Sequence, residues 1–235
     1  MYWWTTTEKS FLAATLGIVI IFGFCGNLLV IIAIVRFKRL RRSINSFLIL
    51  NLAISDFLTT SLLMPFQLAT VLDLSIISDN GLLCKVGGIL SYPFYICSTV
   101  TLVMLAIERH IAVSDPLRYL SRVTPRTISI MIAYSWFQGV LLSVLFAILG
   151  HIEFSIHSLD CGVTWQGTPV WLSVLALIMN IVAPFVLLLV MSVRVVIIAR
   201  KQKLRIATEI SQISGVTNAT RKKSVFSGKC NSELL

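Results

Sequence analysis

Asp56 is the one ionisable residue set deep inside a long apolar run of this chain. A charge at the centre of a bilayer costs about 2.5–3.5 kcal/mol on insertion scales, so polar neighbours must hold such a residue. It marks a cation or proton site, or else a protonated acid hydrogen-bonded inside a bundle. Asn27 and Ser98, polar residues at similar depth in the neighbouring runs, are its candidate partners. A second constellation is Glu108-Arg109-His110, at the end of another apolar run. Pro116-Leu117 follows it, where proline breaks the helix and opens a short basic loop. Taken in isolation these residues are a helix end meeting water. No catalytic arrangement accompanies them. His110, His151 and His157 sit at or beyond the ends of the runs, and no nucleophile elbow, phosphate loop or zinc-ligand spacing occurs. Neither an enzyme, a cofactor nor a metal centre built from His, Cys and carboxylates is expected.

The elements that must position these residues are membrane helices. Of the 235 residues 57% are hydrophobic and 13% charged, against about 25% charged in a soluble domain. Too little polar surface remains to coat a water-soluble particle, and the same numbers exclude disorder. A helix needs about 20 predominantly apolar residues to cross the hydrocarbon. Five runs qualify, at about 11–35, 43–72, 86–109, 128–149 and 170–193. Their continuous apolarity favours helices over barrel strands, which would alternate. The first run is long and lacks a basic leader, so it is expected to be the targeting signal itself rather than a cleaved peptide. Pro65, Pro93 and Pro184 interrupt the second, third and fifth runs, each an expected kink whose freed carbonyl neighbouring groups take up. Residues 1–199 are thus expected to form a transmembrane bundle. Residues 200–235 are expected to be a basic tail, or part of a loop, whose helical start fades.

Orientation follows from the bases. Eighteen of the twenty lie in the loops after the first and third runs, at the edge of the third, and after the fifth; Lys9 and Lys85 lie on the other side. By the positive-inside rule the amino terminus is outside and the carboxyl terminus cytoplasmic. The basic excess then faces anionic membrane lipid, and nucleic acid is not expected as a partner. Cys84 and Cys161 both fall on the oxidising side, which favours pairing them. Loop entropy puts a ceiling of about 4–5 kcal/mol on such a bridge.

Taken together and in order, the following residues resemble class A (rhodopsin-like) G-protein-coupled receptors: Gly26-Asn27, Asn51-Leu52-Ala53-Ile54-Ser55-Asp56, Cys84 ahead of Glu108-Arg109-His110, Trp136, Cys161 and Pro184. The resemblance covers all five runs. It implies an all-α integral membrane protein of the plasma membrane, a bundle of five transmembrane helices matching the first five of a seven-helix receptor. It implies an extracellular ligand, so far unknown, and a heterotrimeric G protein inside. Glu108, Arg109, His110, Pro116 and Leu117 would serve coupling, with Arg109 meeting the G protein once released from Glu108. Asn27, Asp56 and Ser98 would form a polar core that can take a sodium ion. Cys84 would be tied to Cys161, and Trp136 and Pro184 would be structural, although Trp136 alone reads as packing. Ser91, Tyr92 and Tyr95 are candidates for the third-helix wall of a ligand pocket, with plain packing equally open for Tyr92.

Departures from the family pattern are equally specific. Runs corresponding to a sixth and seventh helix do not occur in the 235 residues, so the chain reads as an incomplete receptor, expected to give no ligand-dependent activation alone. The alternative is a truncated, non-signalling isoform acting through a receptor dimer or by retaining a full receptor. A small transporter or channel would explain Asp56 but not the Glu-Arg-His and cysteine pattern. His110 replaces the usual aromatic residue, Ser192 stands where a tyrosine is usual, and the tryptophan usual in the first outer loop is absent. Ser91 occupies the position at which aminergic receptors carry an aspartate, so an amine held by that salt bridge is not expected. The net acidic outer loops favour a cationic peptide over an anionic ligand.

Overall fold

The computed structural model describes residues 4–72, 81–155, 159–164 and 166–232, with side chains described as far as Ile210 apart from Leu120 and Glu209. Asp73 and Asp79, two of the acids of the expected outer loops, and His157 lie outside the described residues. Five helices are long and apolar enough to cross a membrane. In chain order the elements are α1 (Thr6–Arg36), α2 (Lys38–Arg41), α3 (Asn45–Leu72), α4 (Gly81–Ser114), α5 (Pro116–Arg122), α6 (Pro125–Leu149), a hairpin of β1 (Ile152–Ser155) and β2 (Asp160–Val163), and α7, which begins at Val170 and runs to Ser232. Helices α1, α3, α4, α6 and α7 are the spans. The chain is a multi-pass, all-α membrane bundle carrying one small hairpin.

Local chemistry sets the helix starts. Thr5 and Glu8 form a capping box: the Glu8 N–H donates to the Thr5 hydroxyl at 3.3 Å and the Thr5 N–H to the Glu8 carboxylate at 2.8 Å. Proline stands in the first turn of α5 and of α6, where its missing N–H leaves no gap, and Thr124 caps α6 by accepting from the Thr127 N–H. Helix α7 continues well past Val193 to Ser232, further than the expected fading helix. Its continuation is rich in Lys, Arg, Gln, Ile and Ala, with neither glycine nor proline until Gly215.

The three prolines are absorbed in two ways. A π-helical turn, Thr59–Leu63, ends two residues before Pro65, and another, Ile178–Val182, ends two residues before Pro184. The wider turn makes room for the ring. Pro93 instead lies within continuous α4. There the Ile89 carbonyl, four residues back, loses its ladder donor, and the Ser143 hydroxyl of α6 donates to it at 2.8 Å. Gly139 of α6 packs against the same place: a Cβ there would meet the Pro93 backbone at 2.8–2.9 Å. Helices α4 and α6 therefore approach closely because one glycine and one serine face the proline.

Helix α4 is the axis of the bundle. The core gathers Ile96, Val100, Met104 and Leu105 from it with Leu48 of α3, Ile128, Leu142 and Phe146 of α6, and Leu172 of α7. Only Ile34 of α1 is buried. At one end the hairpin, antiparallel with Phe154 opposite Cys161, lies against α4. Gly88 permits this, since a Cβ would stand 3.0 Å from Ile152 and 3.1 Å from the Cys161 carbonyl oxygen.

Candidate functional site

Three groups of side chains are assembled along α4. In the middle, Ser98 donates to Asp56 Oδ1 at 2.6 Å, and the hydroxyls of Ser55 and Ser98 are 2.8 Å apart. Ser55 is fully buried and Asp56 half-buried. Asn27 does not join them: its amide donates at 2.8 Å to the Gly23 carbonyl of its own helix. One helix turn away, Asn51 knits three helices. It accepts from Trp136 Nε1 at 2.9 Å and donates to the Thr101 hydroxyl at 2.9 Å. Trp136 therefore packs and hydrogen-bonds at once, its ring also meeting Phe94 edge-on at 6.1 Å.

At the end rich in bases, Glu108 is buried, at 3% exposure, beside exposed Arg109. No ion pair joins the two among the described residues. The partner of Glu108 is Tyr119 on α5, whose hydroxyl lies 2.6 Å from Glu108 Oε1 and 2.6 Å from Asn45 Oδ1. A phenol has one proton. It donates to the carboxylate, and turning the Asn45 amide lets that residue donate to the phenol oxygen. Burial, then the bond to Glu108 and its charge, push the Tyr119 hydroxyl up to about 12, with Asn45 acting the other way. His110 is half-exposed, 3.3 Å from the Ser114 hydroxyl. Pro116 opens α5, and Leu117 beside it is 96% exposed. Gln202 of α7 donates to the Val113 carbonyl at 3.0 Å, closing the bundle on this side. Ser192 is exposed on α7.

At the opposite end the expected disulfide joins Cys84 to Cys161, with 5.3 Å between their Cα atoms. It holds the hairpin over a cavity of about 330 Å³ between α4, α6 and α7, lined by Tyr92, Tyr95, Ile96, Phe146, Val163 and Asn180 among others. Tyr92 both packs and lines: its ring lies 4.8 Å from that of Phe146, and its hydroxyl accepts from the Val163 N–H at 3.4 Å. Ser91 does not reach this cavity; its hydroxyl donates to the Gly88 carbonyl of its own helix at 2.7 Å. Asp160 of the hairpin accepts from Gln67 of α3 at 3.0 Å and from the Cys161 N–H at 2.8 Å. Burial raises its carboxyl above the ordinary range, against the lowering effect of those two bonds.

Of the residues singled out from sequence, the structure thus brings together Asp56 with Ser98, Cys84 with Cys161, and Tyr92 with Tyr95. It leaves Asn27 and Ser91 bonded to their own helices and Glu108 apart from Arg109. Sequence spacing gives no warning of Tyr119, Asn45, Gln67 or Asp160, whose partners lie on other elements. The acidic outer loops were the one hint of Asp160.

The family model described as 7 transmembrane receptor (rhodopsin family) matches residues 26–227. Over 144 residues the chain is 31% identical to the D(1A) dopamine receptor of Xenopus laevis, covering 60% of this chain and 32% of that receptor. Over 209 residues it is 28% identical to trace amine-associated receptor 8c of Mus musculus, covering 86% of this chain and 60% of that receptor. Trace amine-associated receptor 7e of Rattus norvegicus is 31% identical over 156 residues, 66% of this chain and 43% of its own length. The chain therefore spans between about a third and three fifths of the length of these curated relatives. These relatives are receptors, not enzymes. With a match across most of its length, five membrane helices and the Cys84–Cys161 disulfide in place, the chain belongs to the rhodopsin family of seven-transmembrane receptors.

Proposed function

We propose that this chain works as the ligand-receiving and G-protein-contacting part of a rhodopsin-family receptor in the plasma membrane, with the disulfide end outside and the basic end in the cytoplasm. The observation that carries the reading is the arrangement at the basic end. Tyr119, itself bonded to Asn45, engages buried Glu108, and Arg109 and the projecting Leu117 are both exposed. A guanidinium released from its neighbouring carboxylate and an apolar side chain held in water are the two contacts a partner protein can use. An extracellular ligand occupies the cavity lined by Tyr92 and Tyr95, under the hairpin. Basic side chains near the cytoplasmic ends of the helices face anionic lipid.

The test is retention of a purified, nucleotide-free heterotrimeric G protein on the chain in lipid nanodiscs. Retention should fall about tenfold or more with Arg109→Ala and less with Leu117→Ala. Retention unchanged by both substitutions would end this reading. A sodium ion also suits the middle of the bundle, because one carboxylate and two hydroxyl oxygens form a hard-oxygen donor set. Asp56, Ser98 and Ser55 would hold it, and it would neutralise Asp56 within the membrane. Thermal stability should then rise in sodium over potassium chloride, and Asp56→Asn should remove the difference.

A further inference from the structure

We propose that Asp160, on the outer hairpin, is the counter-charge for a ligand carrying a single ammonium group and an apolar body. This rests on the ligand cavity proposed above and names the chemistry that it selects.

Two cavities meet at Val163. The outer one, about 450 Å³, is lined by Glu153, Ser155, Asp160, Thr164 and Gln166, with no base among the described lining residues. The inner one is largely apolar and aromatic, walled by Tyr92, Tyr95, Ile96, Leu142 and Phe146. The two carboxylates of the outer cavity are not equivalent. Glu153 has its own partner, His151 Nε2 at 2.7 Å, an ion pair when the imidazole is protonated. Among the described residues Asp160 has only neutral donors, Gln67 and the Cys161 N–H, one on each oxygen. Among the described residues no Lys, Arg or His stands within ion-pair distance of it.

A half-buried carboxylate with hydrogen bonds and no cation among its described neighbours is a site whose charge a ligand can complete. Asp160 stands on the same strand as Val163, which lines both cavities and whose N–H donates to the Tyr92 hydroxyl. The carboxylate and the aromatic chamber are therefore neighbours across Val163. Aromatic faces attract cations as well, so an ammonium head passing from Asp160 to the tyrosines stays in favourable potential. Ser91 supplies no charge of its own and is bonded to Gly88. The charge stands instead on the hairpin, which the disulfide ties to α4 above the chamber.

The experiment uses two matched probes, 3-phenylpropylammonium and the uncharged 3-phenylpropanol, with the full chain in nanodiscs at pH 7. Binding is read by calorimetry. The cation should bind about tenfold or more tighter than the alcohol. Asp160→Asn, which keeps one acceptor for the Cys161 N–H while its NH2 donates to a turned Gln67 amide, should equalise the two by weakening the cation alone; Asp160→Glu should keep the preference. Non-reducing peptide mapping confirms that Cys84 and Cys161 remain linked in both variants. Absence of a charge preference in the wild type, or a preference that survives Asp160→Asn, overturns the proposal. Ala176→Phe, which fills the inner chamber, separates the two levels: it should abolish binding of both probes. If the cation preference depends on Asp160 but Ala176→Phe leaves binding intact, the counter-charge stands and the proposed chamber fails.

Discussion

The two ends of the bundle are held by different means. The hairpin end is fastened covalently: the disulfide fixes β2 to α4, Gly88 lets the hairpin lie against the helix, and Thr70 donates to the Leu159 carbonyl at 3.2 Å. Buried Leu159 even sits at φ 52°, a left-handed conformation costing an L-residue roughly 1–2 kcal/mol, which the surrounding bonds sustain. The basic end has no such fastening. Hydrogen bonds hold it among the described residues: those of Tyr119 around a buried glutamate, and that of Gln202 to the Val113 carbonyl. A covalently fixed end can hold a binding chamber in one shape. An end held by hydrogen bonds worth about 1–3 kcal/mol can be rearranged by a binding partner.

Three experiments can break or sharpen that contrast. Cys161→Ser should have the largest effect, lowering stability by up to about 4 kcal/mol by releasing the hairpin, as measured by thermal unfolding in nanodiscs. If it destabilises less than changes at Tyr119, the two ends are not held as described. Tyr119→Phe should cost about 1–3 kcal/mol, because it leaves Glu108 buried without its donor. It should also speed amide exchange in α5 and leave the hairpin unchanged. This contribution depends on pH in a defined direction. The hydroxyl's folded value of about 12 lies above the ordinary 10.0, so the stabilisation is whole below pH 10 and is lost as pH rises toward 12. The stability difference between wild type and Tyr119→Phe should be flat from pH 7 to about 9.5 and shrink above 10.

Asp160→Asn should have the smallest effect on stability. The Asp160 carboxyl is raised in the folded state, so its favourable contribution is full below the ordinary value of 3.8 and lost as pH rises through the folded value. At pH 7 its charge is therefore a burden on the fold, and the amide should leave stability within about 0.5 kcal/mol of wild type, on the stabilising side. A clear destabilisation at pH 7 would mean that Asp160 serves the hairpin rather than a ligand. Stability against function in this way is common at binding sites.

The sequence by itself determined the five membrane helices, because continuous apolar length needs no partner to be read. It also determined the disulfide, since charge asymmetry put two cysteines on one side of the membrane. The prolines were visible as interruptions, but their accommodation was not: only packing decided that Pro65 and Pro184 follow π turns while Ser143 and Gly139 of another helix accommodate Pro93. Motif order pointed to Asp56 and Ser98, which meet, and equally to Asn27, which bonds to its own helix instead. Spacing put Glu108 beside Arg109, yet successive helical residues point away from each other, and a tyrosine on another element took the carboxylate. Asp160 became a candidate counter-charge only when the hairpin folded back over α4. Apolar runs and side-specific charge are properties of local segments facing a bilayer. Hydrogen-bond partners between helices depend on rotation and depth, and only the assembled bundle fixes those.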